Sequence, residues 1–188
     1  MSVNRAQLVE LYLAYVGRPP DVPGLNFYLN GDWPFGDVVH WFYASPESTT
    51  LYHNSAGADQ INAIYQNLFN RDAEAGGMAF WLDALATGRV TSEYVALAIL
   101  QSAQNSDITA VQNKLALTTA FLEQLDTNRE IAGFAGDHSA ALARAFVETV
   151  DASPESLAAA MAILLAQVDL ATGLPPAPPP PPPPAPAP

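Results

Sequence analysis

Apolar residues recur three and four positions apart along nearly the whole chain, the spacing that lines one face of an α-helix. Leu8, Leu11, Tyr12, Tyr15 and Val16 mark the first such face, and Ile61, Ile64, Tyr65, Leu68 and Phe69 repeat it. The pattern returns in Tyr94, Leu97, Ala98 and Gln101, in Leu115, Thr118, Phe121, Leu122 and Leu125, and in Leu142, Ala145, Phe146 and Thr149. Start signals agree. Ser45-Pro46-Glu47 and Ser153-Pro154-Glu155 each place a hydroxyl N-cap before a proline at the first helical position, with an acid in the first turn. Period-two alternation bounded by turns is missing, so the pattern predicts an all-α helical bundle with no sheet.

Two of these helices head a repeat. Residues Leu11 to Leu29 read LYLAYVGRPPDVPGLNFYL, and Ile64 to Leu82 read IYQNLFNRDAEAGGMAFWL. At a constant offset Tyr12/Tyr65, Arg18/Arg71, Asp21/Glu74, Gly24/Gly77, Leu25/Met78, Phe27/Phe80, Tyr28/Trp81 and Leu29/Leu82 coincide. Aromatic, charged and glycine positions that recur together mark a duplicated unit. The first copy continues through Trp33-Pro34 into a helix around Val38 to Ala44. The second continues through Gly88 into a helix from Thr91 to about Ser102. Each unit therefore reads as a helix, an arginine-containing loop, a short aromatic helix and a third helix. The expected organisation is residues 1–105 as two tandem three-helix units (about 4–55 and 57–105), 106–173 as C-terminal helices packed on them, and 174–188 as a proline-rich linker or tail.

The loop residues read as structural. Gly24 and Gly77 permit either a close backbone approach or a positive φ between helices. Arg18 and Arg71 each stand three residues before an acid, Asp21 and Glu74, with which a charge-assisted pair ties the loop. The aromatic segment after each glycine is expected to lay Phe27 and Tyr28, or Phe80 and Trp81, onto the core. The stretch after Leu174, PPAPPPPPPPAPAP, has few amide donors and favours polyproline II, spanning on the order of 43 Å as a stiff rod. A rod of that kind usually separates one domain from something else, so the expectation is either a shortened chain or a longer parent protein.

Composition narrows the functional classes. Nineteen acidic against seven basic residues give a formal charge of −12, which phosphate backbones repel, and no basic stripe interrupts it; nucleic acid is not an expected partner. The absence of cysteine removes disulfides, thiolate metal sites and cysteine nucleophiles. The N-terminus runs straight into a helix containing Glu10, without an uninterrupted apolar stretch or a small-residue cleavage site, so a cleavable signal peptide is not expected. No window approaches the length of a membrane span, and membrane insertion is not expected.

The string Ile64-Tyr65, Leu68-Phe69-Asn70-Arg71-Asp72, Gly76-Gly77-Met78-Ala79-Phe80-Trp81-Leu82, Leu85, Gly88 resembles the bacterial domain of unknown function 4214. The string Leu11-Tyr12, Val16-Gly17-Arg18-Pro19-Pro20-Asp21, Gly24-Leu25, Phe27-Tyr28 fits the family pattern more closely, and the resemblance extends over most of the chain before the proline tail. Asn70 and Glu74 depart from the usual Gly and Asp of the loop. The resemblance implies a non-enzymatic cell-surface module of a Gram-negative bacterium, anchoring to envelope polysaccharide or lipopolysaccharide as surface-layer proteins do. A second implication is a protein–protein assembly adaptor (a scaffold, an appendage or a phage-like tail component), since the unit is also similar to phycobilisome linker domains. The partners implied are an envelope glycan or another protein, and a homo-oligomer is compatible with either. No cofactor is implied; calcium enters only if a further C-terminal region supplies repeat-in-toxin sites, and export would use a route that does not read the N-terminus.

Catalytic motifs are not found. His40, His53 and His138 lack His-Glu-x-x-His spacing, and no nucleophile elbow, P-loop or dinucleotide fingerprint occurs. Asn30-Gly31-Asp32 with Asp37 lacks the ligand ladder of an EF-hand and reads as a turn. The candidate ligand-binding residues are aromatic: Trp33, Trp41, Tyr43 and Tyr52. Neighbours on a helix point about 100° apart, so Trp41-Phe42-Tyr43 cannot all face one core and at least one is expected at the surface. The competing arrangement puts Trp41 and Phe42 in the core with Tyr43 bridging the two units.

Overall fold

A computed structural model describes residues 3–53 and 57–175. Among them lie twelve α-helices and no β-strand, which makes the fold all-α. The first unit comprises α1 (Arg5–Val16), α2 (Val22–Asn30) and α3 (Phe35–Tyr43); α4 (Pro46–Ser48) then runs into a π-helical turn (Thr49–His53). The second comprises α5 (Ala58–Phe69), α6 (Ala75–Ala86) and α7 (Val95–Gln101). The C-terminal helices are α8 (Ser106–Glu123), α9 (Asn128–Gly133), α10 (Gly136–Glu148), α11 (Pro154–Ala162) and α12 (Leu164–Thr172).

The centre of the fold is α1, which packs on α2, α3, α4, α5, α7 and α8. The expectation of an amphipathic first helix is corrected here. Leu8, Val9, Leu11, Tyr12, Leu13, Ala14, Tyr15 and Val16 are all buried, so beyond Glu10 the helix is apolar on every side and enclosed by neighbours. Its start is fixed by a capping box in which Asn4 and Gln7 exchange side-chain and backbone bonds. Ile61, Ile64, Tyr65, Leu68 and Phe69 of α5 are buried as their spacing predicts. In α10 the stripe is rotated: Ala140, Ala143, Phe146 and Val147 are buried, whereas Ala145 and Thr149 face out. Buried residues from both units and from α8, α10, α11 and α12 form one continuous apolar cluster.

Local signals set several ends. Ser45 and Ser153 cap α4 and α11 by accepting from the N–H of Ser48 and Ser156, each ahead of a proline at the first helical position. The third helices start away from their expected positions, α3 earlier at Phe35 and α7 later at Val95. No single helix among the described residues is long and apolar enough to cross a membrane; α11 and α12 together reach that composition but are bent by 58° at Ile163. The proline-rich segment, beyond Pro175, lies outside the described residues.

Candidate functional site

The duplicated residues build the same device twice. Arg18 lies over the Tyr12 ring at 5.4 Å and Arg71 over the Tyr65 ring at 5.2 Å. The Nη1 of Arg18 donates to the Pro19 carbonyl, and that of Arg71 donates to the Asp72 carbonyl, both at 2.9 Å. The remaining edge of each guanidinium grips a carboxylate in bidentate fashion. Arg18 Nε and Nη2 donate to Glu47 at 2.8 and 2.7 Å, and Arg71 Nε and Nη2 donate to Asp107 at 3.0 and 2.6 Å. Glu47 and Asp107 stand in the first turns of α4 and α8, where a carboxylate also suits the helix dipole. Each arginine therefore staples the loop after the first helix of its unit to the helix that follows the unit. The local partners are secondary, with Asp21 at 3.6 Å from Arg18 and Glu74 at 2.7 Å from Arg71.

Gly24 and Gly77 serve close approach rather than positive φ. A Cβ on Gly24 would lie 2.5 Å from the Tyr12 hydroxyl, and one on Gly77 would lie 2.8 Å from the Tyr65 hydroxyl. The left-handed positions are instead Gly17 (φ 64°) and Asn70 (φ 56°), which end α1 and α5. Asn70 thus fills in the second unit the role that Gly17 has in the first.

Conserved chemistry with changed hardware appears at the ends of the two first helices. Arg144 of α10 donates to the Val16 carbonyl at 2.8 Å and to Glu47 at 2.7 Å, while the Tyr52 hydroxyl donates to the Ala14 carbonyl at 2.9 Å. In the second unit Lys114, wholly buried, donates to the Asn67 carbonyl at 2.6 Å and to Asn70 Oδ1 at 2.7 Å. Burial pulls its ammonium down to about 8, against the pull of Glu148 and Asp151 in the other direction. Burial would raise the Glu47 carboxyl, but Arg18 and Arg144 outweigh it and hold the group below its ordinary value.

Four aromatic rings come together on the surface. Phe27 and Trp33 stack with centroids 5.6 Å apart at 28°, and Trp33 meets Trp41 edge-on at 5.2 Å and 76°. Phe27 and Trp41 are 6.5 Å apart, and Tyr28 is 6.3 Å from Trp41 while also packing on buried Phe42. Phe27 is 56% exposed and Trp41 36%. The Trp33 indole lies flat on Gly31, where any Cβ would overlap the ring, and its N–H reaches the Phe27 carbonyl at 3.4 Å. Gly31 in Asn30-Gly31-Asp32 therefore serves the indole. Among the described residues no three His, Asp or Glu side chains converge as a metal site would require.

Of the four predicted ligand-binding aromatics, Trp33 and Trp41 meet in this face. Tyr43 is half-buried against the core. Tyr52 is corrected to a structural residue: it is 2% exposed and caps α1. Trp41 is at the surface and Phe42 in the core, so the arrangement with both in the core does not hold. The expectation that Phe27 and Phe80 lie on the core is also corrected. Both are more than half exposed, because the burial demand of their short helices is met by Leu25 in α2 and by Trp81 and Ala84 in α6. His40 is exposed and pairs with Glu93 at 2.9 Å, His138 is exposed on α10, and the His53 side chain lies outside the described residues.

Residues 39–108 match the profile of a family described as a domain of unknown function (DUF4214). The matched segment runs from within α3 to the start of α8, so it holds the whole second unit and both halves of the Arg71–Asp107 clamp. Most of the first unit lies outside it. No curated protein and no solved structure matches the chain.

Proposed function

The chain belongs to the DUF4214 family through residues 39–108, and from that premise we propose that it is a non-enzymatic cell-surface module of a Gram-negative bacterium that binds envelope glycan through the face formed by Phe27, Tyr28, Trp33 and Trp41. The observation that carries the reading is the exposure of Phe27 and Trp41 in this cluster, with Tyr28 and Trp33 half-buried beside them. Burying aromatic surface is favourable, and rings left in water on a rigid two-helix support are set up for a flat apolar ligand face such as that of a pyranose ring. Asp37, one turn before Trp41 on α3, and Asn30, one turn after Phe27 on α2, supply exposed polar groups at its margin. The net charge of −12 opposes a phosphate-bearing glycan, so a divalent cation should strengthen binding by bridging the two. Co-sedimentation with purified lipopolysaccharide, with calcium and with chelator, tests this. Saturable pelleting is expected with calcium, and Trp41→Ala should weaken it about tenfold, the worth of one aromatic contact. Equal pelleting of the wild type, Trp33→Ala and Trp41→Ala would remove the site.

A second reading, the assembly adaptor, is favoured by a different surface. Met161, Ile163, Leu165 and Leu170 of α11, α12 and the bend between them are exposed. Apolar side chains gathered on one helical element are the usual mark of a protein contact. This reading predicts a defined oligomer or complex that forms without glycan, visible by sedimentation velocity.

A further inference from the structure

We propose that the cleft in front of the Arg71–Asp107 clamp is a docking site for a basic helix of another protein, which sets an arginine against Glu74 and Asp107. This surface is separate from the aromatic face and independent of any glycan. Comparison of the two units points to it.

In the first unit the equivalent place is filled from within the chain. Residues of α9 and α10 stand across a cavity from Arg18 and Asp21, and Ala140, Ala141 and Arg144 of α10 face Pro46 and Glu47 of α4. Arg144 there puts a second guanidinium on Glu47 at 2.7 Å. Its Cγ would lie only 3.4 Å from a Cβ on Gly17, so α10 is seated on the loop that carries Arg18. One helix with alanines and an arginine thus closes the first clamp.

In the second unit the corresponding clamp opens on a cleft of about 400 Å³. Its lining residues all fall between positions 65 and 107, so among the described residues none of the helices that close the first clamp reaches it. The connection after the third helix helps to hold it open. Two residues, Ala44 and Ser45, join α3 to α4, whereas residues 102–105 join α7 to α8, and all four of these line the cleft. Trp81 and Ile99 give it an apolar wall, with Phe80, 52% exposed, beside them.

Charge selects the partner. At the first clamp Arg18 and Arg144 meet Asp21 and Glu47, two cations against two acids. At the second, Arg71 alone meets Glu74 and Asp107. Arg89, over the Phe80 ring at 5.3 Å, is taken by Asp83, and Lys114 is committed to Asn67 and Asn70. The second cleft is therefore one cation short of its twin. An incoming arginine restores the balance, and the open Phe80 ring suits a guanidinium plane. A second copy of this chain would bring a charge of −12 against an acidic cleft, so a basic partner is favoured over self-association.

The probe is an acetylated, amidated alanine helix with arginine at every fifth position, and its control carries glutamate in place of arginine. Each is titrated into the full chain while the three tryptophan indole N–H signals are read by NMR. Trp81 lines the cleft, whereas Trp33 and Trp41 lie in the first unit. The arginine helix should shift Trp81 saturably and leave Trp33 and Trp41 unmoved, and the glutamate helix should do nothing. Glu74→Gln, at an exposed position, should weaken binding about threefold, and Glu74→Gln with Asp107→Asn about tenfold. Unmoved Trp33 and Trp41 signals in these variants show that the fold is intact. Glu155→Gln, an exposed acid on α11, should change nothing. An unmoved Trp81, one common midpoint for all three tryptophans, an equal effect of the glutamate helix, or equal weakening by Glu155→Gln would overturn the proposal. So would a Trp81 signal that moves with protein concentration in the absence of peptide, which would put a second copy in the cleft.

Discussion

The two arginine clamps share donors, acceptor geometry and an aromatic ring beneath the guanidinium, yet water reaches them differently. The Arg18 side chain is 11% exposed and that of Arg71 38%, while the carboxylates run the other way, Glu47 at 29% and Asp107 at 18%. The first carboxylate, Glu47, also receives Arg144 from the C-terminal helices, whereas Asp107 receives Arg71 alone. Duplication fixed the device, and its surroundings set its worth. A bidentate pair whose arginine is open to solvent is a modest contact, and the same pair with its arginine under cover becomes an obligation, because the guanidinium left alone is a buried charge.

The largest effect should separate the clamps directly. Glu47→Gln leaves Arg18 and Arg144 without their shared counter-charge and should cost about 3 kcal/mol in urea unfolding, whereas Asp107→Asn should cost at most ~1 kcal/mol. Equal losses would mean that burial does not distinguish them.

Next comes the capping of the two first helices, done by a guanidinium and a hydroxyl in one unit and by Lys114 in the other. From about pH 8 up to its ordinary value, the unfolded chain holds a proton on Lys114 that the folded chain has released, so stability should rise with pH. A gain of about 1 kcal/mol is expected between roughly pH 8 and 9.5 and should be absent in Lys114→Met. The sign then reverses. Burial raises Tyr12, Tyr15 and Tyr52, so above about pH 10 the unfolded chain loses phenolic protons that the folded chain keeps, and stability falls. A stability that only declines above pH 8 would contradict the assignment of Lys114.

The smallest effect concerns the acids three residues after each arginine. Asp21 caps α2 by accepting from the Gly24 N–H at 2.7 Å, but Glu74 makes no such cap and pairs with Arg71 while 60% exposed. Asp21→Ala should therefore cost ~1 kcal/mol, and Glu74→Ala no more than about 0.5 kcal/mol.

Helix type, the two caps at Ser45 and Ser153 and the repeat of α1–α2 in α5–α6 were legible because they depend on residues near in sequence. The principal partners of Arg18 and Arg71 were not, since Glu47 and Asp107 lie 29 and 36 residues away and only the packing of the helices brings them in. Burial around α1 was also hidden: spacing shows which face is most apolar but not that neighbours enclose the other faces. The aromatic face was half legible. Trp41-Phe42-Tyr43 had to expose a ring by helix geometry, but the choice of Phe27 over Tyr52 turns on which helices cover which surface. The signal available for Tyr52 was weak, a lone aromatic in a π-helical turn with nothing local to point it at the Ala14 carbonyl.

Arg144 reaches the Val16 carbonyl across 128 positions of chain and Glu47 across 97. Synthesis proceeds at about 5–20 residues per second, so Glu47 waits roughly 5 to 20 s for its second cation to be made. Through that interval the first unit exists without the bolt that closes it. A nascent chain of this design stays openable until its distal helices emerge, and it locks from the far end backwards.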